Sequence, residues 1–457
     1  TQGVSSAASD VYKRQVPIQI AYLYFMRYHP LSSDMFVDHR NVFKSRLESQ
    51  SLAVFVSNDV MPTNADGSMG FKQNSDLFYL CGIDQEETIL VVFSNTFSTN
   101  PDALLFIRET NAHIAVWEGE KLTQEAARAI SGISKVHWIK DFNAVMRTYF
   151  FQAEAIYLNE NEHTRRSIPV ESAQTRFNRN LKLDLPHHAF KRSAPIMHRI
   201  RSVKTAHEVE CIQQACNITE LGFRRVLKVL KPGLWEYEIE AELIHEFIRH
   251  RSSGFAYSPI IASGKNACVL HYVQNNALCK DGDLLLLDVA AEYANYASDL
   301  TRCVPVNGLF SKRQKEVYNA VLRVHRFASG LLTPGQTFET FNRLVGECMT
   351  EELLALKLLS PQDVKNQTSN QPAYKKYFMH GTSHFLGLDV HDVGYFHEPI
   401  KAGMVFTVEP GIYIPEEGLG IRIENNFLVT STKPLDLMEH IPIEAEAIES
   451  LMAEHKS

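Results

Sequence analysis

Several features are scarce or missing in this 457-residue sequence. It contains no apolar run that approaches the roughly 20 residues needed for a membrane-spanning helix. It also lacks an excess of basic residues, since 46 Lys and Arg stand against 53 Asp and Glu, a formal net charge of −7. Surfaces that bind phosphate usually appear as a basic stripe, and none is present. The sequence therefore predicts a soluble protein that binds neither nucleic acid nor membrane.

Cysteine is scarce as well and follows no pattern. The seven cysteines are odd in number and scattered, and no two of them form a C-x-x-C pair. Free thiols in a reducing cytosol fit this distribution better than a disulfide framework or a zinc knuckle does. We therefore expect a cytoplasmic protein.

The beginning of the chain does not look like part of a fold. Residues 1–25 start with a polar stretch without hydrophobic period, and the apolar run that follows lacks the layout of a signal peptide. We expect them to be a non-native or disordered leader, with Met26 as the natural start. The length predicts two or three domains. A shift in composition near Pro195 indicates an N-terminal domain over 26–195 and a C-terminal domain over 196–457.

Hydrophobic periodicity distinguishes these two domains. The first begins with a helix and a strand over 34–58, and strand-like runs then alternate with turns, which indicates an α/β layer. The second begins with an amphipathic helix over 204–230 and another in "LWEYEIEAELIHEFIRH". Two strand-rich segments follow, one near 283–306 and one near 403–430. We expect each of these two segments to fold back on itself as an antiparallel hairpin.

The first hairpin is predicted to oppose two acids. If Glu292 and Asn295 are the ends of its turn, Asp288 lies directly opposite Asp299. Directly opposed side chains in an antiparallel pair have their Cβ atoms about 5 Å apart. Asp288 also follows "LLLL", a context that predicts burial.

The second hairpin is predicted to repeat this arrangement. If Pro415 and Gly418 bracket its turn, Glu409 lies opposite Glu424, which follows the apolar run "GIRI". Like charges directly opposite each other destabilise a strand pair, and an uncompensated buried carboxylate costs several kcal/mol. Positive charge is therefore expected between the acids.

Two sources of positive charge are possible. The carboxylates could be solvated or paired with Arg302 and Arg422, which is the ordinary explanation for a single acid. Two similar pairs in apolar strands, together with the histidine-rich stretch "HGTSHFLGLDVHD" at 380–392, favour bound metal instead. Four carboxylates and one imidazole suit two divalent ions such as Mn²⁺, Co²⁺ or Fe²⁺.

These segments also resemble the motifs of a known family. The likeness is carried by "HGTSHFLGLDVHDVG", "FTVEPGIYI", "LGIRIENNFLVT", "LLLLDVAAEYANYASDLTRCVPVNG" and "IASGKNACVLHY". They are similar to the pita-bread metallopeptidases, in particular to the Xaa-Pro aminopeptidase (aminopeptidase P) family and its relative prolidase. The likeness runs from about Asp34 to about Met452. It implies an α+β protein with a creatinase-like α/β N-terminal domain and a duplicated pita-bread C-terminal catalytic domain.

The resemblance implies that five residues bind two metal ions. They are Asp288, Asp299, His384, Glu409 and Glu424. Asp299 and Glu424 would bridge the ions, Asp288 would hold one of them, and His384 with Glu409 would hold the other. Mn²⁺ is the expected ion, with Co²⁺ or Zn²⁺ as alternatives. A hydroxide bridging the ions would hydrolyse the N-terminal Xaa-Pro bond, with Glu409 moving its proton.

Three further histidines are assigned by the same resemblance. His271 is expected to lie near the substrate and to take part in catalysis. His391 would donate a hydrogen bond to the substrate carbonyl as charge develops on its oxygen. His380, four residues before His384, would line the proline pocket.

Three other residues complete the predicted site. Arg422 shares a strand face with Glu424, and Tyr413 shares one with Glu409, because side chains alternate with a period of two. Both are expected to support the substrate site. Asp76 in "NSDLFYLCGID" resembles an N-terminal-domain residue that helps to shape the pocket for the amino end of the substrate.

Other functions stay open from the sequence alone. Prolidase, which cleaves only dipeptides, is the main alternative, although "NSDLFYLCGID" and "PIEAEAIESLM" are more similar to aminopeptidase P. A non-catalytic peptide-binding module and creatinase-like hydrolysis without metal are disfavoured by the intact ligand set. Methionine aminopeptidase is disfavoured by the additional N-terminal domain. The expected partners are peptides with proline in second position and further copies of the chain, as a dimer or tetramer.

Overall fold

The computed structural model describes most of the chain in two compact units. The described residues are 27–99, 102–167, 169–368 and 370–454. The predicted leader over 1–25 lies outside them. One unit ends at Ile200 and the other begins at Arg201. This division and the boundary predicted near Pro195 both fall within the helix Ala194–Ser202. Within the described part of the chain, no helix combines the length and the apolarity that crossing a bilayer requires.

The first unit is a six-stranded mixed sheet with helices. Its helices are α1 Ser33–Lys44, α2 Ser75–Cys81, α3 Ala112–Glu118, α4 Gln124–Ser131, α5 Phe142–Gln152, α6 Ala173–Asp184 and α7 Ala194–Ser202. Its strands are β1 Ser51–Val56, β2 Ile89–Phe93, β3 Ala103–Ile107, β4 Lys135–Trp138, β5 Ala155–Leu158 and β6 Ala189–Arg192. The sheet order is β4-β3-β2-β1-β5-β6, in which β1 is antiparallel to β2 and parallel to β5.

The central strands of this sheet are buried along their whole length. Every residue of β1, "SLAVFV", is buried, as is every residue of β2 and β3. A continuous apolar run suits a strand that is covered on both faces, because neither set of alternating side chains meets water. The predicted helix and strand over 34–58 are confirmed as α1 and β1.

The second unit combines long helices with short hairpins. Its helices are α8 Ala206–Val229, α9 Glu236–Arg249, α10 Lys312–Gly330, α11 Phe338–Ala355, α12 Pro361–Asn366 and α13 Ala445–Glu454. Its strands are β7 Ile260–Ser263, β8 Leu284–Asp288, β9 Glu292–Tyr293, β10 Tyr296–Ala297, β11 Thr301–Pro305, β12 Val405–Val408, β13 Gly411–Ile414, β14 Leu419–Arg422, β15 Asn425–Leu428 and β16 Leu435–Asp436. The two amphipathic helices predicted after the boundary are confirmed as α8 and α9.

The first hairpin turns later than the sequence suggested. Its turn is centred on Ala294 and Asn295, both at positive φ (51° and 67°), which is the geometry of a two-residue hairpin loop. This turn pairs Asp288 with Thr301, so the prediction that Asp288 directly opposes Asp299 was wrong. Asp299 lies two positions before Thr301 and therefore still faces the same side of the hairpin as Asp288.

The second hairpin has the predicted register. β12 pairs with β15, and β13 pairs with β14, in a single continuous register that places Glu409 opposite Glu424 in the gap between the two ladders. A short 3₁₀ turn over Pro415–Glu417 ends at Gly418, which has a φ of 60°. Both acids thus lie at the point where the hairpin passes from one sheet to the other.

Candidate metal centre

Backbone pairing brings the two hairpins and the histidine-rich segment together. Thr301 of the first hairpin forms a bridge with Glu424 of the second, whose amide donates to the Thr301 carbonyl at 3.0 Å. The histidine segment lies beside β12, since the Thr407 amide donates to the His384 carbonyl at 3.0 Å. The Glu409 amide donates to Thr382 O at 2.8 Å. Residues that are far apart in the chain therefore converge at one place.

Three buried side chains form the centre of this cluster. Asp299, His384 and Glu424 each present one possible ligand atom, and these atoms lie within 4.8 Å of one another. His384 Nδ1 donates to the carbonyl of Phe385 at 2.9 Å, which leaves Nε2 directed at the acids. This Nε2 is 3.4 Å from Asp299 Oδ2 and 3.8 Å from Glu409 Oε1. A metal-binding histidine is typically oriented by such a bond at its other nitrogen.

The fourth carboxylate, Asp288, is linked to the cluster by a tyrosine and paired with an arginine. The Tyr257 hydroxyl lies 2.7 Å from Asp288 Oδ1 and 2.6 Å from Asp299 Oδ1. Arg422 Nη2 donates to Asp288 Oδ2 at 2.5 Å. Arg302, the other candidate partner, donates instead to the Glu424 carbonyl and to Asn425 Oδ1. An arginine thus compensates one of the four carboxylates.

The other three carboxylates have no such compensation. No lysine or arginine nitrogen of the described residues lies within 4.0 Å of a carboxylate oxygen of Asp299, Glu409 or Glu424. Burial, and then the neighbouring acids, raise the pKa of all three well above its ordinary value, and the charge of Arg422 offsets only part of this rise. A bound cation would reverse this tendency and keep the carboxylates ionised.

One buried oxygen indicates where a cation would fit. Thr301 Oγ1 donates to Glu424 Oε2 at 2.7 Å, whereas no hydrogen-bond donor of the described residues reaches Glu424 Oε1. Buried carboxylate oxygens are rarely left without a partner. Oxygen-rich sites of this kind bind divalent cations, and the imidazole of His384 adds a nitrogen ligand. The residues present therefore fit a metal centre.

A hydrogen-bonded chain runs from this centre to His380. Arg422 Nη1 donates to the Tyr413 hydroxyl at 2.7 Å, and that hydroxyl lies 2.8 Å from His380 Nε2. His380 Nδ1 donates to the Gly381 carbonyl at 2.7 Å. Burial, and then the charge of Arg422, lower the pKa of His380 to about 3. His380 is therefore neutral near pH 7, and its Nε2 accepts a hydrogen bond from Tyr413.

Of the remaining predicted residues, His391 and His271 lie in the second unit and Asp76 lies in the first. The His391 ring packs edge-on against the His384 ring, with centroids 4.4 Å apart. His271 is exposed in the loop after the 3₁₀ helix Gly264–Cys268, and its charge is among those that lower the pKa of His380. Asp76 lies in the first turn of α2, in the first unit.

Three residues of the centre were not predicted from the sequence. They are Tyr257, Thr301 and Asn426. Asn426 exchanges two hydrogen bonds with the backbone of Asp299, at 2.7 and 3.0 Å. Thr301 could have been found, because it shares a strand face with Asp299 by the period of two. Tyr257 lies 31 residues before Asp288, and no local pattern connects the two.

Comparison with known families gives two matches along the chain. The family model for Metallopeptidase family M24 matches residues 210–431. The model for the Aminopeptidase P, N-terminal domain, matches residues 36–157. The metal cluster described above lies within the first of these matches.

Individual relatives match over nearly their whole length. The Xaa-Pro aminopeptidase of Haemophilus influenzae is 33% identical over 434 residues, covering 92% of this chain and 98% of that protein. The Xaa-Pro aminopeptidase of Escherichia coli K12 is 32% identical over 435 residues, with the same coverage. The solved structure of E. coli aminopeptidase P with the inhibitor Pro-Leu is similar at a TM-score of 0.85 and 30% identity, covering 94% of this chain and 100% of that one.

These matches confirm the resemblance seen in the sequence and the fold class that it implies. The N-terminal unit contains the aminopeptidase P N-terminal domain, which is the creatinase-like α/β domain, and the second unit contains the pita-bread domain. This chain belongs to metallopeptidase family M24 and, within it, to the Xaa-Pro aminopeptidases (aminopeptidase P), and it is a metallo-aminopeptidase.

Proposed function

We propose that this enzyme binds two divalent metal ions and hydrolyses the peptide bond between an N-terminal residue and proline. The residues that would hold the ions are Asp288, Asp299, His384, Glu409 and Glu424. The single observation that supports this most strongly is the group of three carboxylates, Asp299, Glu409 and Glu424, that form no ion pair with an arginine or lysine of the described residues. Asp299 and Glu424 are buried, and no donor of the described residues reaches one oxygen of Glu424.

The chemistry of these ligands favours a hard or borderline ion. Four carboxylates and one imidazole suit Mn²⁺, whereas structural zinc sites are typically rich in thiolate ligands. Co²⁺ and Zn²⁺ are the alternatives, and a Zn-substituted E. coli aminopeptidase P in complex with product is similar at a TM-score of 0.86. When bound, two such ions lower the pKa of water and polarise a carbonyl group.

The protein groups around this centre would position the reacting atoms. Glu409, whose side chain is 21% exposed, can reach a water molecule in the site, accept its proton and pass that proton to the proline nitrogen. His391 would donate to the carbonyl oxygen on which negative charge develops. Arg422 and Tyr257 hold Asp288 and Asp299 in place through their hydrogen bonds.

The substrate side of the site follows from the family and from the His380 chain. His380, fixed by Tyr413, would line the pocket for proline, and His271 would lie beside the bound peptide. Asp76 is proposed to contribute to recognition of the amino end. Relatives along nearly the whole chain bear the name Xaa-Pro aminopeptidase, which favours peptides with proline in second position.

We also propose that this enzyme is cytoplasmic and oligomeric. The seven cysteines are all free, which suits a reducing cytoplasm. A dimer or tetramer of this chain is proposed from the family resemblance.

The choice between aminopeptidase and dipeptidase can be tested with matched peptides. Purified enzyme loaded with Mn²⁺ is assayed on Xaa-Pro-Yaa tripeptides, on the Xaa-Pro dipeptide and on that dipeptide amidated at its carboxyl group. We expect kcat/KM for the tripeptide to be at least equal to that for the dipeptide, because an aminopeptidase leaves the far end of the proline pocket open. Cleavage of the free dipeptide alone, with no turnover after amidation, would establish prolidase activity instead.

A further inference from the structure

A largely buried ion-pair network includes Asp392, the residue after His391, and contains none of the proposed metal ligands. Its members are Arg201, Lys204, Asp389 and Asp392. The Asp392 side chain is 1% exposed, Lys204 is 0% exposed and Arg201 is 4% exposed. Lys204 Nζ donates to Asp392 Oδ2 at 2.8 Å, and Arg201 Nη2 donates to Asp392 Oδ1. Both oxygens of one buried carboxylate are therefore bound by cations.

The loop that carries His391 is folded around this carboxylate. The Asp392 amide donates to the Phe385 carbonyl at 2.9 Å, which closes the loop between the two residues. A Cβ atom added to Gly387 would lie 2.2 Å from Asp392 Oδ2 and 3.0 Å from Lys204 Cε. The backbone at this position can approach the carboxylate so closely only because the residue is glycine.

The same loop joins the two imidazoles of the site. His384 precedes it, and His391 is the residue directly before Asp392. The two rings pack edge-on at a centroid distance of 4.4 Å. His391 is exposed, whereas Asp392 is buried. The exposed ring and the buried carboxylate thus belong to adjacent residues of one loop.

Stability alone is a weak explanation for such a network. Replacing a buried ion pair by apolar residues of similar volume is often neutral or stabilising, because desolvating two charges offsets their attraction. An ion pair does, however, impose directional contacts that apolar packing lacks. Its exposed member, Asp389, adds a second acceptor for Arg201 at 2.8 Å and orients that guanidinium.

We propose that Asp392, held by Arg201 and Lys204, is a positioning residue that fixes the 385–392 loop and sets the place of the His391 ring relative to His384. This proposal rests on the proposed hydrolytic function for its kinetic consequences. The network itself contains none of the proposed metal ligands, and it is linked to His384 through the Phe385 carbonyl, which accepts from both the Asp392 amide and His384 Nδ1. Displacing His391 by about 1 Å would lower the rate of catalysis by up to about 100-fold.

A double-mutant cycle separates positioning from general loss of structure. kcat and KM are measured for the wild type, Asp392→Asn, His391→Ala and the double variant, at equal metal content. We expect Asp392→Asn to lower kcat at least about tenfold with a smaller change in KM, and His391→Ala to cost far less in the Asp392→Asn background than in the wild type. Equal costs of His391→Ala in both backgrounds would overturn the proposal.

A second variant tests the same inference without altering any charge. Gly387→Ala introduces a methyl group against Asp392 and should lower kcat in the same way, whereas Gly330→Ala, which has open space around its Cβ position, should not. If Asp392→Asn does not fold, the comparison of Gly387→Ala with Gly330→Ala tests the role of Asp392 in its place. Wild-type kcat for a folded Gly387→Ala protein would contradict the proposal.

Hydrogen exchange, measured on the metal-loaded protein, makes the outcome independent of activity. Hydrogen exchange of the amides over 385–392 should be faster in Gly387→Ala than in the wild type, with exchange in β8 and β11 unchanged. Unchanged exchange over 385–392 would contradict the proposal even in the absence of any assay. The wild type could prove inactive while amides 385–392 still exchange faster in Gly387→Ala than in the wild type. That result would refute the hydrolytic function and leave the role of Asp392 in place.

Discussion

At the scale of single residues, the acids of the centre are held by neighbouring groups, among them Tyr257 and Asn426. The acids and His384 could be predicted because they lie in short motifs, where an apolar strand context makes an acid conspicuous. Tyr257 could not be predicted, because its hydrogen bonds to Asp288 and Asp299 depend on the tertiary structure. Asn426 binds the backbone of Asp299, a contact that depends on how two hairpins meet. Ligands are visible in a sequence, whereas the groups that orient them depend on tertiary packing.

Glu409 is the residue whose replacement tests the proton-transfer step. Glu409→Gln keeps nearly the same volume but removes the charge of a proposed metal ligand and the proposed proton acceptor. We expect kcat to fall at least about 10³-fold, on the scale of losing a general base together with metal positioning. The matched control is Glu416→Gln, an exposed residue of the nearby 3₁₀ turn, which should leave kcat unchanged. A loss of less than about tenfold for Glu409→Gln would remove this residue from the mechanism.

Tyr257 provides a second test at this scale. Tyr257→Phe removes the hydroxyl that contacts Asp288 and Asp299 but keeps the ring. Loss of such an orienting group typically weakens metal binding or activity by about 10- to 100-fold. Competition titration against a fluorescent chelator should show this weakening. Tyr318→Phe, which removes a buried hydroxyl bonded to the Ile443 carbonyl, should bind metal like the wild type. Equal affinity of the two variants would count against the role of Tyr257.

At the scale of elements, the two hairpins show why one register was predictable and the other was not. In the second hairpin, Pro415 and Gly418 mark the turn, and Gly418 adopts the positive φ that favours glycine. In the first hairpin, the positive-φ positions are Ala294 and Asn295, and alanine gives no signal for such a turn. The predicted pairing was therefore displaced, yet Asp288 and Asp299 stayed on one face because the displacement was an even number of residues.

The long helix α8 offers a test of local sequence signals. Thr205 and Glu208 form a capping box, in which the Thr205 hydroxyl accepts from the Glu208 amide and the Glu208 carboxylate accepts from the Thr205 amide. Thr205→Ala should lower the free energy of unfolding of the second unit by about 1 kcal/mol. Thr205→Ser keeps a hydroxyl at this position and should retain most of the stabilisation that the cap provides. Urea denaturation followed by circular dichroism measures both. Identical midpoints for Thr205→Ala and the wild type would show that the cap contributes nothing.

At the scale of the whole molecule, length and composition predict more than one domain, with a boundary near Pro195. A chain of 457 residues exceeds a single ordinary core, and the contacts divide it after Ile200. The assignment of each unit to a domain could be made from motifs. The exact point of division could not be predicted from the sequence, because α7 continues through that point without a change in helical pattern.

The pH dependence of stability should reveal one buried histidine of the second unit. Burial, and then the charge of Arg302, lower the pKa of His325 on α10 to about 3. Between an unfolded pKa near 6.5 and this folded value, the unfolded chain binds a proton that the folded protein does not, so stability falls as the pH decreases. The expected slope from this residue alone is about 1.4 kcal/mol per pH unit.

His325→Leu should remove that contribution. The difference in free energy of unfolding between His325→Leu and the wild type is measured by urea denaturation at several values between pH 6.5 and pH 5. We expect the variant to gain on the wild type as the pH falls, while His440→Gln, a change at an exposed histidine, follows the wild type. Parallel curves for His325→Leu and the wild type would show that His325 is protonated in the folded state as readily as in the unfolded chain.

The central claim, a catalytic centre made of two metal ions, is tested most directly by counting metal and activity on the same sample. The enzyme is stripped with a chelator, titrated with Mn²⁺, and assayed on an Xaa-Pro-Yaa peptide at each step, with bound metal measured by mass spectrometry. We predict that hydrolysis is lost on stripping, returns with added metal and reaches its maximum near two ions per chain. Full hydrolysis by protein that holds no metal would contradict the account.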